Sequence, residues 1–97
     1  MHARVSFYEV ASGGDAAAAV KGFEDAMQPL LQMEGNQGVE LLVDQDSGKA
    51  ITITYWDTEE HLQSSAEQAN KLRQEASDTA GLTIQGVESY EVVLERR

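Results

Sequence analysis

The side chains able to do demanding chemistry are few: two histidines, His2 and His61, one tryptophan, Trp56, three tyrosines, and no cysteine. The lack of cysteine removes disulfides, thiolate catalysis, zinc fingers and iron–sulfur clusters together. Two histidines so placed assemble neither a Ser-His-Asp arrangement nor a paired-histidine metal site, so no metal is expected. The stretch 44–48 (DQDSG) briefly suggests a calcium loop. An EF-hand needs glycine sixth and a bidentate glutamate twelfth; here glycine is fifth and the twelfth residue is Tyr55. Gly13-Gly14 precedes a helical pattern but lacks the further glycines and the lysine of a phosphate-binding loop. Both read as turns.

Trp56, Tyr8, Tyr55 and His61 remain, and each also has a plain structural account. Trp56 suits a core or interface anchor. Tyr55 alternates with Ile51 and Ile53 and reads as packing with its hydroxyl at an edge. His61 falls in the first turn of a helix, a solvated position. His2, near the terminus, is expected to be disordered.

The elements that must position these residues follow from the patterning. Residues 2–10 (HARVSFYEV) alternate with period two and read as a strand. Ser12 to Asp15 supplies turn and capping residues. From Asp15 to about Met33, Val20, Phe23, Met27, Leu30 and Leu31 recur at helical spacing, and Pro29 is expected to kink that helix or start a short final turn. Residues 39–44 and 49–56 are two strands joined by a hairpin turn. Asp57 and Glu60 have capping-box spacing ahead of one helix running to about Ala80, with Leu62, Ala66, Ala69, Leu72 and Ala76 as its apolar seam. Gly81 ends it, and a last strand spans about Val87 to Glu95. The order is βαββαβ, and the expectation is one α+β domain over residues 1–97. Its form is the ferredoxin-like arrangement, a four-stranded antiparallel sheet with two helices on one face.

Two helices cover only one side of four strands. Sorting by parity gives a strongly apolar set: Ala3, Val5 and Phe7, then Val39, Leu41 and Val43, then Ile51, Ile53 and Tyr55, then Tyr90, Val92 and Leu94. This set is expected under the helices. The opposite set holds Arg4, Ser6, Tyr8 and Val10, with Glu40, Leu42, Thr52, Thr54, Trp56, Glu91 and Val93. Its apolar members are too many to leave bare, so a second copy stacking sheet on sheet is expected.

Composition narrows the partners. With 17 acidic and 7 basic residues the formal charge is −10, which disfavours nucleic acid and anionic membranes. Hydrophobic residues make up 41%, enough for a core. No apolar leader and no membrane-length run is present, so a soluble cytoplasmic protein is expected.

The segment 51–62 (ITITYWDTEEHL), a strand ending in Trp56 with an acidic helix start behind it, resembles the antibiotic-biosynthesis-monooxygenase-like proteins of the dimeric α+β barrel superfamily. The resemblance covers essentially the whole chain. It implies a homodimer with a small pocket between sheet and helices in each subunit, and places Trp56 near that pocket, whereas parity sets Trp56 opposite Ile51 and Ile53. Activities in the group include cofactor-independent oxygenation of aromatic polyketides and haem degradation. The haem-degrading branch uses a strand-one Asn, a Trp and an axial His well along the second helix. Here Phe7 falls where the Asn would be, Trp56 matches, and no His follows His61, so haem degradation is disfavoured. Oxygenation with no cofactor is the reaction the resemblance implies, with Trp56 and His61 as catalytic candidates. Phe7, Phe23, Met27 and Trp56 are the expected ligand-binding residues for a small aromatic ligand. The alternative is a non-catalytic ligand-binding or structural dimer. A polar or titratable group converging on the pocket would separate the two.

Overall fold

The structure, a computed structural model, describes residues 1–10, 16–44 and 46–96. The elements are β1 (His2–Val10), α1 (Ala16–Leu31), β2 (Asn36–Asp44), β3 (Lys49–Trp56), α2 (Glu59–Ser64), α3 (Ala66–Ala80) and β4 (Leu82–Glu91). The strands form one antiparallel sheet in the order β2-β3-β1-β4, so the fold is ferredoxin-like α+β. The turn expected at Ser12–Asp15 lies outside the described residues, as does Gln45 in the hairpin. His2 is not disordered; it pairs with Trp56 and Glu91.

Local sequence explains where the elements differ from expectation. The helix expected over 57–80 is two helices, broken at Ser65 (φ −83°, ψ −11°). The Ser65 hydroxyl donates to the Leu62 carbonyl at 2.7 Å, the serine-to-backbone bond that competes with helix continuation. The cap also differs: Thr58 accepts from the His61 N–H at 3.1 Å, while the Asp57 carboxylate is drawn to the His61 ring. Pro29 stays inside α1, which closes with a tight final turn from the Gln32 N–H to the Pro29 carbonyl at 3.2 Å. β4 starts five residues before the expected Val87. A bulge opposite Phe7 and Tyr8, where Gln85 is the extra residue between Gly86 and Ile84, interrupts the alternation that would have marked it.

The larger correction concerns the faces. β2 turns Val39, Leu41 and Val43 toward the helices as expected. β1 and β3 are reversed. Arg4, Ser6, Tyr8, Thr52, Thr54 and Trp56 are buried beneath the helices, and register places Val5 and Phe7 beside Ile53 and Ile51 on the uncovered side. There Ala3, the small residue of the central strand, lies between Tyr55 and Tyr90, and Val92 and Leu94 border the same surface. Parity arithmetic sent the most apolar set inward because it assumed that the chain's own helices are what that set packs on. The helices instead cover a polar strip.

Two apolar clusters flank the strip. One joins Tyr8, Phe23, Ala50, Ala76 and Leu82, with the rings of Tyr8 and Phe23 edge to face at 4.9 Å and 67°. The other joins Leu30, Trp56, Leu62 and Ala69. Met27 packs against both. Small residues on α1 and α3 (Ala26, Ala69, Ala76) leave room between the clusters, and that room is the candidate site.

Candidate functional site

The sheet supplies the site's floor. Arg4, Ser6 and Tyr8 project at alternate positions of β1, with Thr52 and Thr54 beside them on β3. The walls are Phe23, Met27 and Leu30 of α1 and Leu72 of α3. Arg73, the residue after Leu72, belongs to the same helical stripe as Ala69 and Ala76 and also lines the space. The enclosed volume is about 30 Å³, room for one or two waters.

Each polar side chain is held from behind. The Arg4 guanidinium donates to the Leu62 carbonyl at 2.5 Å and to the Ser65 hydroxyl at 3.3 Å, and it lies 5.9 Å from the Trp56 ring centroid. A cation at the C-terminal end of α2 meets the carbonyl end of the helix dipole. Arg73 Nε donates to Ser6 Oγ at 3.0 Å, and Nη1 to Asn70 Oδ1 at 2.5 Å. Thr52 Oγ1 lies 3.5 Å from the Tyr8 hydroxyl. Among the described residues, no Asp or Glu lines the cavity, and no carboxylate lies within ion-pair distance of Arg4 or Arg73.

The electrostatics follow from that burial. Desolvation holds both arginines below their ordinary range, and for Arg4 the neighbouring charge of Arg73 adds to it. Burial also raises the Tyr8 phenol above 10.0, against the opposing pull of hydrogen bonds and Arg73. At neutral pH, Tyr8 is therefore a hydrogen-bonding phenol and not a base. The arrangement can bind and orient an oxygen-bearing ligand, stabilise negative charge on it, and keep water away.

The expected site residues divide. Phe23 and Met27 line the cavity. Trp56 is fully buried next to it, its indole N–H donating to Thr54 Oγ1 at 3.0 Å; it orients Thr54 and backs Arg4 without lining the space. Phe7 lies on the opposite face. His61 is outside, with Nδ1 2.6 Å from Asp57 Oδ1 and Nε2 3.7 Å from Glu34 Oε1. The aspartate bond raises the His61 pKa and lowers that of Asp57. Gly35 (φ +84°) closes this cluster; a β-carbon there would collide with His61 and Asp57. Among the described residues no group of acidic and histidine side chains is arranged to hold a metal, and no helix is long and apolar enough to cross a membrane.

Sequence reasoning missed Arg4, Ser6, Thr52, Thr54 and Arg73. Two signals pointed to them. Arg4, Ser6 and Tyr8 are spaced by two, which puts three polar groups on one strand face. Arg73 falls inside an otherwise apolar helical stripe.

Comparison with known proteins bears on what this cavity does. The family model described as antibiotic biosynthesis monooxygenase matches residues 1–70. Uncharacterised protein Rv2557 of Mycobacterium tuberculosis is 38% identical over 74 residues, 75% of this chain and 33% of that protein. Uncharacterised protein Rv2558 of the same organism is 36% identical over 77 residues, 75% of this chain and 31% of its own length. The chain thus spans about a third of the curated relatives it matches. Among solved structures, SnoaB, a cofactor-independent oxygenase from Streptomyces nogalater, superposes with a TM-score of 0.76 at 13% identity, covering 97% of this chain and 94% of that one. Rv0793 of M. tuberculosis superposes with a TM-score of 0.65 at 11% identity, covering all of both chains. These structural likenesses speak to the fold.

Proposed function

The chain belongs to the antibiotic biosynthesis monooxygenase family, and from that premise we propose that it is a homodimer whose subunits each oxygenate a small aromatic ligand with no cofactor. The observation that carries the reading is the convergence of Tyr8, Arg4, Arg73 and the Thr52–Thr54 pair on a space otherwise walled by Phe23, Met27 and Leu72. A purely structural dimer has no use for a buried arginine and a half-buried one lining the same cavity.

The chemistry asked of the residues is modest. An aromatic ring carrying a phenol next to a CH₂ group loses a proton to solvent water as it enters, since no base lines the cavity among the described residues, and becomes a delocalised carbanion. The positive potential of Arg4 and Arg73 favours that anion, Tyr8 and Thr52 orient its oxygen, and Phe23 and Met27 hold the ring and exclude water. Dioxygen takes electrons from the carbanion as the carbon–oxygen bond forms. One oxygen stays as a ketone and the other leaves as water, so CH₂ and O₂ become C=O and H₂O. His61, outside the cavity, has no part in this. Trp56 is a positioning residue, acting through Thr54 and Arg4.

The uncovered sheet face supports the dimer. Val5, Phe7, Ile51, Ile53, Tyr55 and Leu42 lie there, and a second sheet stacked on it at about 10 Å would remove them from water. Sedimentation at micromolar concentration is expected to give a dimer; a monomer would end that half of the reading. Oxygen uptake with phenols of one to three rings tests the other half. Turnover is expected, falling at least a hundredfold in Arg73→Gln. The alternative reading is a ligand-binding protein with no turnover. Saturable binding of phenols with no oxygen uptake would decide for the binder.

A further inference from the structure

We infer that the ligand of this cavity carries a carboxylate, seated between Arg4 and Arg73, and that this charge is the main source of selectivity. The inference rests on the cavity being a ligand site and adds what kind of ligand it selects. It starts from a mismatch of charge. The chain is −10 overall, yet two of its seven cations point into one small space that no carboxylate enters among the described residues.

Buried charges in proteins are ordinarily paired. Here the pairing is with neutral groups: Leu62 O and Ser65 Oγ for Arg4, and Ser6 Oγ, Asn70 Oδ1 and the Tyr8 phenol for Arg73. Those bonds fix the two guanidiniums in place, Arg4 buried and Arg73 half-exposed beside it, and give neither a carboxylate partner among the described residues. Each guanidinium carries five N–H donors, so donors remain after these bonds are made. Arg73 reaches Ser6, two residues along the strand from Arg4 and on the same face, a spacing of about 6.6 Å. A planar carboxylate between them receives N–H donors from both sides, the geometry arginine suits best. With the carboxylate on the sheet floor between the guanidiniums, the ring lies against Phe23, Met27 and Leu72.

A phenol reaches one negative charge only on ionising. An aryl carboxylate arrives charged, and one that also bears a phenol neutralises both arginines when the carbanion forms. The proposed substrate class is therefore a hydroxyaryl carboxylic acid.

The test is calorimetric titration of the full chain with benzoate, with its neutral isostere benzamide, and with phenol. Benzoate is expected to bind at least tenfold tighter than either neutral probe, and to lose that advantage in Arg73→Gln while Arg73→Lys keeps part of it. Thermal unfolding of both variants checks that they fold, since Arg73 is half-exposed on its helix. Equal binding of all three probes overturns the carboxylate assignment and leaves the aromatic pocket standing. Binding by none of them overturns both. Retention of the benzoate preference in folded Arg73→Gln also overturns the assignment, because the charge would then be read elsewhere.

Discussion

The two faces of the sheet invert the usual division of labour. The face under the helices carries Arg4, Ser6, Tyr8, Thr52 and Thr54; the face that no described helix covers carries Val5, Phe7, Ile51, Ile53 and Tyr55. In a self-contained domain the apolar face would be the covered one. Here the helices cover the polar strip, and the more apolar face is the one that no described helix covers. Apolarity in a strand tells that it will be covered, not by what.

Paired substitutions can break this comparison. Phe23→Ala, on the covered side, removes a ring that is 2% exposed and packed on Tyr8. It is expected to cost about 3–5 kcal/mol in urea unfolding, independent of protein concentration. Phe7→Ala, on the open side, is expected to show a loss that depends on protein concentration, since the covering surface proposed for it is a second copy of the chain. If the two losses respond alike to concentration, the contrast between the faces is wrong.

Ile53→Glu puts a charge at the middle of the open face. About 3 kcal/mol or more against association, roughly a hundredfold in the dimer constant, is expected, with the folded monomer retained. Sedimentation velocity and circular dichroism together read this. A mutant that stays dimeric moves the interface elsewhere.

Trp56→Phe probes the covered side more gently. It removes the indole N–H bond to Thr54 and weakens the contact with Arg4. A loss of about 1–2 kcal/mol is expected, with weaker ligand binding at unchanged ring specificity. Full retention of stability would show that the buried indole is only filling space.

The smallest effect concerns pH. His61 has its pKa raised above 6.5 by Asp57, so its contribution is fully present below pH 6.5 and is lost as pH rises through the raised value. Asp57 is lowered below 3.8, so its contribution is present above 3.8 and is lost as pH falls through the lowered value. The tie is therefore strongest between about pH 4 and 6.5. Urea unfolding from pH 5 to 8 is expected to show a decline that His61→Gln flattens. An unchanged slope in the variant would remove His61 as its cause.

What the sequence told and withheld can be traced to particular residues. β3 was legible to the residue, because KAITITYW alternates cleanly between a glycine turn and a helix cap. β2 was legible in its facing as well, since Val39, Leu41 and Val43 alternate with Glu40 and Asp44. β1 and β3 could be placed as strands but not turned correctly. Their two faces differ by polarity, and in β1 the polar face meets partners 58 and 61 residues from Arg4, Leu62 and Ser65, which no local pattern displays. The break at Ser65 hid inside a continuous seam. Of the residues expected to bind a ligand, Phe23 and Met27 line the cavity, and helical spacing had put them on the apolar face of α1. Arg4 and Arg73 escaped because a lone arginine in a strand or helix reads as surface until the fold closes over it.

That closure has a consequence for how the molecule is made. The bonds from Arg4 to Leu62 and Ser65 span 58 and 61 residues, and β1, the inner strand, pairs with β3 and β4, both synthesised later. At about 5–20 residues per second, β1 waits for several seconds outside the ribosome before β3 follows and longer before β4 does. Throughout that interval its apolar and cationic sides are both in water. A strand with Val5 and Phe7 on one edge of its pleat and Arg4 on the other is suited to the wait, because the cation keeps soluble what the sheet has not yet claimed.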